Sequence, residues 1–392
     1  MRGGSPSIAG DVVAWRASRA VFSISGYRKP KAGFPTDAEA DSLGDLGMKR
    51  DAMGWKSSRH ATTRDAAAWT LVGEPAPFAL AGAAAAAGGT VAAPGLEDAE
   101  AFCRRIATGH YENFSVISWI VPRALRQDFA NVYAFSRWSD DLADEAESPA
   151  AAAAALAAWR DELEACGRGA ARHPILVALA DTIARHRLTL EPFHDLLDAF
   201  VQDQQVVRYE SREQLLDYCR RSANPVGRIV LALGGCREPQ RQAESDAICT
   251  GLQLVNFWQD VRRDRIAGRI YLPAADMQRH GVRASDLDAP QASPALRQLL
   301  AEEVAWAENC FTAGEPLKRL GPAALRPAIT AFAGGGRAVA AAIRQAGYDT
   351  LSRRPVVSKA TKLILAGRAA VGRLGAGMFP RPASAPAEAE QT

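Results

Sequence analysis

Two stretches of the chain place carboxylates where a packed helix ordinarily carries apolar side chains. In Tyr133-Ala-Phe-Ser-Arg137-Trp-Ser-Asp140-Asp141-Leu-Ala-Asp144-Glu145, helical rotation puts Arg137, Asp140, Asp141 and Asp144 within one arc of roughly 100°. In Gln253-Leu-Val-Asn256-Phe-Trp-Gln-Asp260-Val-Arg-Arg-Asp264, Gln253, Asn256, Asp260 and Asp264 share an arc of roughly 80°. One such pattern reads as a solvated acidic face. Two of them, each beside large apolar residues (Tyr133 and Trp138; Phe257 and Val261), point inward instead. Facing each other across a cavity, these carboxylates would repel unless cations lay between them. Mg²⁺ suits such a place, because one or two carboxylates hold it while water and substrate phosphate complete its octahedron. Two or three ions are expected to share the acidic faces, Asp141 included. Arg137 before the first cluster and Arg269 after the second would complement a diphosphate. On this reading, removing Asp140 or Asp260 relieves repulsion and leaves stability unchanged or raised.

The elements that must position these faces are helical. Apolar residues recur at helical spacing over 129–145, 150–166, 175–187, 192–208, 213–234, 243–267, 295–311, 322–346 and 358–374, with Gly or Pro near most ends. No run alternates as a strand does. The fold class is therefore all-α, a single helical bundle around a deep central cavity, with a catalytic domain over 95–375. Residues 1–94 lack any sustained period, are broken by Gly and Pro, and end in an Ala/Gly-rich stretch; they read as a poorly ordered extension and linker. Residues 376–392 read as a disordered Pro/Ala/Glu tail.

Composition excludes several functions. Of 392 residues, 47 are basic and 44 acidic, and the excess lies in the first 94 residues; the remainder is balanced and has no stripe for nucleic acid. Six cysteines without a CxxC pair read as reduced packing residues of a cytoplasmic protein. The longest uncharged stretch, Pro75 to Leu96, is too Ala/Gly-rich to hold a membrane span. No GxGxxG follows a strand, so nicotinamide binding has no support, and NADPH is not expected.

The stretches YAFSRWSDDLADE (133–145) and QLVNFWQDVRRDRIAGRIYLP (253–273) together resemble the squalene/phytoene synthase family of head-to-head prenyl synthases. The resemblance spans about 97–374 and implies the class I isoprenoid synthase fold and a prenyl diphosphate substrate. It implies metal roles for Asp140, Asp144, Gln253, Asn256, Asp260 and Asp264, and diphosphate contacts for Arg137 and Arg354. His110 and Phe114, in HYENFSVISWIVP, match positions at the substrate end of the cavity, and Arg269 and Tyr271 of the second stretch join the substrate-binding set. Where the reductive members carry a small-residue run, this chain reads Ser222-Ala-Asn224-Pro225-Val-Gly227. That departure, with HYENF in place of a serine-rich motif, resembles the bacterial hopanoid-pathway branch, hydroxysqualene synthase. It implies presqualene diphosphate as substrate, water as co-substrate and pathway enzymes upstream and downstream as partners.

Ser222, Asn224, Tyr209, Asp203 and His110 are candidates for holding the attacking water. A polar turn capping a helix explains Ser222 and Asn224 equally well. A class I terpene cyclase would need a different second motif, and a chain-elongating prenyltransferase a second DDxxD. A di-iron bundle would need two Glu-x-x-His motifs, but only Glu191-Pro-Phe-His194 occurs. A non-catalytic helical scaffold leaves the two acidic faces without a reason. Between Ser358 and Arg381, five basic residues (Lys359, Lys362, Arg368, Arg373, Arg381) interleave with apolar ones and no acid. That pattern suits either an ordinary terminal helix or peripheral contact with anionic lipid at the inner membrane face.

Overall fold

The structure is a computed structural model that describes residues 93–109 and 120–358, with 360, 361, 364, 365 and 367. The readings of 1–92, of His110 and Phe114, of the tail after Leu374, and of Lys359, Lys362, Arg368, Arg373 and Arg381 lie outside the described residues.

The helices are α1 (Leu96–Gly109), α2 (Arg126–Asp144), α3 (Pro149–Gly167), α4 (Pro174–His186), α5 (Glu191–Gln202), α6 (Arg212–Ser222), α7 (Asn224–Leu233), α8 (Pro239–Gln259), α9 (Val261–Ile266), α10 (Ala274–Arg279), α11 (Pro294–Ala313), α12 (Leu317–Leu320) and α13 (Arg326–Gln345). Serines start three of them: Ser148, Ser211 and Ser293 accept the N–H of Ala151, Gln214 and Leu296, respectively, each relieving one orphan donor of a first turn. Among the described residues there is no strand, only an isolated parallel bridge between Arg208 and Ile270.

Two helices are the axes of the bundle. α2 is packed by α1, α3, α4 and α5, while α8 is packed by α6, α7, α11 and α13. α5 ties the halves together through its contacts with α2, α6 and α7, and α2 makes no extensive contact with α8. Both axes are buried on all sides over part of their length: Asp128–Ser136 in α2 and Ile248–Gln259 in α8 are buried at every position. A helix buried all round should be apolar all round. These two are not: Asp128 and Asn131 anchor α2 to α4, and Thr250, Gln253 and Asn256 form a polar stripe along α8.

Four of the expected helices differ from the observed ones, and α1 and α10 had no expected counterpart. The expected 213–234 helix is two helices meeting at Ala223 (φ −123°, ψ −48°), where Pro225 stands in the first turn of α7 and cannot donate back into α6. The expected 243–267 helix breaks at Asp260 (φ −104°, ψ 14°). The expected 322–346 helix begins at Arg326, with α12 preceding it. α5 stops at Gln202 rather than Arg208 because the chain straightens to let Val207 accept the N–H of Ile270 at 2.8 Å.

Each axis is fixed by a different device. Asp128, wholly buried in α2, accepts from Thr182 Oγ1 at 2.9 Å, Arg185 Nη2 at 2.6 Å and His186 Nε2 at 3.0 Å, all on α4. Asn131, one turn on, donates to the Ala178 carbonyl at 3.1 Å and to Thr182 at 3.0 Å. α8 is held by close approach: the Phe311 ring of α11 sits between Gly251 of α8 and Gly336 of α13. A Cβ on either glycine would meet the ring at 3.0 Å and 2.3 Å, respectively.

Removing the buried anchor of α2 by Asp128→Ala should cost about 3 kcal/mol in denaturant unfolding, because Thr182 and His186 lose their acceptor and Arg185 keeps only Asp181; a loss below about 1 kcal/mol would show that the network is dispensable. A second prediction concerns pH. Glu303 of α11 is buried with Asp276 beneath Arg212, whose Nη2 and Nε lie 3.1 Å and 2.8 Å from them. Burial pushes its carboxyl up to about 8, against the opposing pull of Arg212. The folded state thus holds a proton that the unfolded chain has lost between its ordinary 4.5 and about 8. Stability from this group is complete below that window and falls as pH rises through it. Glu303→Gln should flatten the decline between pH 5 and pH 8.5 in chemical denaturation, and an unchanged slope would exclude Glu303 as its source.

Candidate active site

The first acidic face lies at the C-terminal end of α2. Its opposite side is locked by aromatic packing, with Phe135 stacked on Trp159 at 5.9 Å and edge-on to Phe193 at 5.3 Å. Trp159 Nε1 donates to Ser139 Oγ at 3.0 Å. On the polar side Arg137 reaches forward along its own helix. Its Nη1 lies 3.2 Å from Asp140 Oδ2, its Nε donates to Asp141 Oδ2 at 3.2 Å, and its Nη2 donates to Asp141 Oδ1. Burial works against the Arg137 charge, but Asp140 and Asp141 outweigh it and raise its pKa. Burial pushes Asp141 up to about 7, while Arg137 pulls it down. Asp140 is buried and Asp144 half-buried.

The second face runs along α8. Gln253, Asn256 and Asp260 are buried, and Asp264 follows half-buried on α9. The N–H of Asp264 still donates to the Asp260 carbonyl at 2.9 Å, so the break bends the face without severing it. Asp260 is held by Arg354, Nε to Oδ1 at 2.6 Å and Nη2 to Oδ2 at 3.0 Å, and Arg263 Nη1 approaches Oδ1 at 3.5 Å. These contacts correct the expectation of repulsion that only metal relieves: each face carries its own guanidinium, one from the same helix and one from ninety-four residues away. Loss of Asp260 therefore strands a cation instead of relieving an anion.

Arg269 and Tyr271 line the space beside the second face. Tyr271 stacks on Phe257 at 3.9 Å and on Tyr209 at 5.7 Å, and Tyr209 lies 5.5 Å from Tyr218. Tyr218 donates to Asp203 Oδ2 at 3.0 Å. Arg269 is buried, and its Nη1 donates to the Tyr271 hydroxyl over a long 3.5 Å. Burial opposes its charge, but the acidic groups of Tyr271, Asp203, Tyr218 and Asp144 raise its pKa. Arg269 thus senses Asp144 of the first face from the second. Burial raises the pKa of Tyr209, Tyr218 and Tyr271 alike.

Ser222 and Asn224 flank the α6–α7 break. They do not cap α7: its N-cap is Ala223, with no side-chain cap bond. Asn224 Oδ1 instead accepts from Thr250 Oγ1 at 3.0 Å, and Ser222 Oγ is buried with no hydrogen-bond partner among the described residues. Thr250, Tyr218 and Gln259 are site residues that sequence reasoning missed. Thr250 continues the Gln253–Asn256 stripe one turn back, and Tyr218 precedes Ser222 by one turn, so both had a helical signal. Gln259 had none, since its partners lie on the segment around Arg354. His194 pairs with Glu164 at 2.8 Å and belongs to the surface. A cavity of about 380 Å³, lined by Arg208, Tyr209, Leu272, Met277 and Val282, contains none of the acidic residues.

The amide oxygen of Asn256 suits a hard cation, and the amide N–H groups of Asn256 and Gln253 suit phosphate oxygen or water. Both side-chain amide atoms of Asn256 and the Nε2 of Gln253 are buried without a hydrogen-bond partner among the described residues. Such groups are costly to bury unless something else pairs with them. No three carboxylate, imidazole or thiol groups among the described residues converge as a ready-made metal cage. A hard divalent ion that takes one or two protein ligands, water and substrate phosphate is compatible with that arrangement.

Comparison with known proteins agrees with this geometry. The squalene/phytoene synthase family profile matches residues 107–361. A hydroxysqualene synthase of Zymomonas mobilis is 35% identical over 280 residues, covering 68% of this chain and 90% of that one. A phytoene synthase of Arthrospira platensis is 30% identical, covering 59% and 78%. Among solved structures, the squalene synthase HpnC from Alicyclobacillus acidocaldarius superposes with a TM-score of 0.62 at 44% identity, over 64% of this chain and 95% of that one. A dehydrosqualene synthase in complex with ligand gives 0.64 at 26% identity, over 70% and 96%. The fold is the class I isoprenoid synthase bundle, and the chain belongs to the squalene/phytoene synthase family of prenyl-diphosphate-processing enzymes.

Proposed function

We propose that the protein is a hydroxysqualene synthase, converting presqualene diphosphate and water to hydroxysqualene and diphosphate in hopanoid biosynthesis. The observation that carries this reading is Asn256, a buried amide with both polar atoms unpartnered between Gln253 and Asp260. Such a residue persists where a ligand completes it. The identity of 35% with a hydroxysqualene synthase, against 30% with a phytoene synthase, supports the branch, as does the polar α6–α7 break.

Asp140, Asp144, Gln253, Asn256, Asp260 and Asp264 would hold Mg²⁺, which when bound neutralises the diphosphate and the charge that grows as it leaves. Arg137, Arg269 and Arg354 bind the same anion with planar forks. Departure of the diphosphate leaves a cyclopropylcarbinyl cation, which rearranges and opens. The Phe257–Tyr271–Tyr209 wall shields it and offers aromatic faces that tolerate positive charge. Ser222, Asn224 and Thr250 hold one water by neutral groups. Its oxygen bonds to the carbocation, its extra proton is lost to solvent or diphosphate, and no reductant is consumed.

The direct test incubates the pure protein and Mg²⁺ with presqualene or farnesyl diphosphate, with and without NADPH, and identifies the lipid. Hydroxysqualene formed from presqualene diphosphate without NADPH is expected. Squalene that requires NADPH, phytoene, or a reaction ending at presqualene diphosphate would each assign another branch. A second prediction separates function from stability. Asn256→Leu should abolish turnover yet raise stability by about 1–2 kcal/mol, because it removes two buried unsatisfied groups. Lowered stability would mean that Asn256 is paired within the fold. Asp260→Ala should abolish turnover and lower the melting temperature, since Arg354 loses its carboxylate and is left against the neutral Gln259 amide; a raised melting temperature would restore the repulsion picture.

A further inference from the structure

Arg354 lies on the segment Thr350–Ser358 that follows α13, and this segment is clipped to the end of α8 at two points. Gln259, only 2% exposed, spends both ends of its amide on it. Its Nε2 donates to the Pro355 carbonyl at 2.6 Å, and its Oε1 accepts from Arg354 Nη2 at 2.7 Å. The root of the segment is fixed by Asp349, whose Oδ1 accepts the N–H of Ala292, Leu351 and Ser352 at 3.0, 3.2 and 3.2 Å. Its Oδ2 accepts from Arg297 at 3.0 Å. The guanidinium of Arg354 is therefore set over Asp260 from a rigid base, and its Nε and Nη2 reach the two oxygens of that carboxylate, Nη2 serving Gln259 as well.

We propose that Arg354 and Arg137 are resident counter-cations handed from carboxylate to diphosphate during loading, with Gln259 as the positioning residue that holds Arg354 for the exchange. The site then takes a divalent cation together with diphosphate and resists the cation alone. This inference rests on the metal–diphosphate reading of the preceding section. A bare divalent ion reaching Asp260 must displace Arg354. Gln259 keeps the displaced guanidinium close to the incoming dication, in a half-buried place where like charges repel strongly. Diphosphate removes the conflict, because it offers the freed fork a second bidentate acceptor. The same holds for Arg137, which has two carboxylates to release. Cation and diphosphate are thus coupled through a shared guanidinium, and the coupling is reciprocal. Asn256 Oδ1 is neutral and takes no part in the competition, which leaves it open to the cation at either stage.

The test uses the full chain, Mn²⁺ as the metal probe followed by the electron paramagnetic resonance of free Mn²⁺, and radiolabelled inorganic diphosphate followed by equilibrium dialysis. Arg354→Gln should bind Mn²⁺ alone about tenfold more tightly than the wild type, and retain diphosphate at saturating Mn²⁺ about tenfold more weakly. Gln259→Leu keeps Arg354 but cuts its tether, and should move both affinities in the same directions by about threefold; it also serves if Arg354→Gln does not fold. Unchanged or weaker Mn²⁺ binding in both variants, with diphosphate still retained by the wild type, overturns the exchange alone. Failure of the wild type to retain diphosphate at any Mn²⁺ concentration overturns the metal–diphosphate reading and the exchange with it.

Discussion

Keeping carboxylates inside an apolar bundle is the constraint on which the rest of this structure depends. An ionised acid taken out of water costs several kcal/mol even after relaxation, more than one buried leucine returns. Each buried acid among the described residues accordingly has a donor: Asp128 has Arg185, Asp276 and Glu303 share Arg212, Glu244 has Arg241, Asp349 has Arg297 and Asp203 has Tyr218. Asp140 and Asp260 follow the same rule with Arg137 and Arg354. Pairing therefore does not distinguish a structural acid from a site acid. The neighbours do. Asp128 stands among side chains that use their hydrogen-bonding groups on one another, whereas Asp260 follows Gln253 and Asn256, whose buried amide atoms lack partners among the described residues.

The same constraint explains where the backbone bends. α8 ends at Gln259, so the carbonyls of its last turn add partial negative charge beside Asp260. Arg354, bonded to both oxygens of the Asp260 carboxylate, brings positive charge to that helix end as well. The bend at Asp260 then lets α9 carry Asp264 and Arg263 around the same space. The second bend, at Ala223, brings Asn224 to Thr250 and leaves Ser222 facing inward without a capping duty.

Much of this was legible in the sequence wherever the relation was local. The helices follow from apolar residues at a period of 3.6, and both acidic faces follow from carboxylates and amides three and four residues apart. The class of chemistry came from the same spacing, since two polar arcs flanked by aromatic residues have no purpose on a soluble surface. What could not be read was non-local. Gln259 looks like an ordinary glutamine beside an aspartate, and its meaning lies in a segment ninety-five residues away. The expected repulsion between the acidic faces failed for that reason: charge along one helix is visible in sequence, but a guanidinium arriving from another element is not. The helix break at Asp260 was hidden because apolar periodicity continues across it, whereas the polar turn before Pro225 marked the one at Ala223.

The polar stripe of α8 also divides its work along the helix. Its charged end is at Asp260, with Arg354, while its neutral end is at Thr250, with Asn224 and Ser222 nearby. Ten residues separate the two, about 15 Å along the axis. On the proposed reading that separation governs the outcome of the reaction. A departing diphosphate is the best nucleophile in the cavity, and a cation formed beside it would recombine with it unless it were carried away from the guanidinium and metal end. A water held at the far end must be bound by groups that bear no charge, because a carboxylate there would pair with the cation or be alkylated by it. A hydroxyl and an amide hold water without that hazard. The substitution of polar Ser222 and Asn224 at the break thus acts together with the acidic end of the same helix: one end keeps the anion, and the other supplies the oxygen.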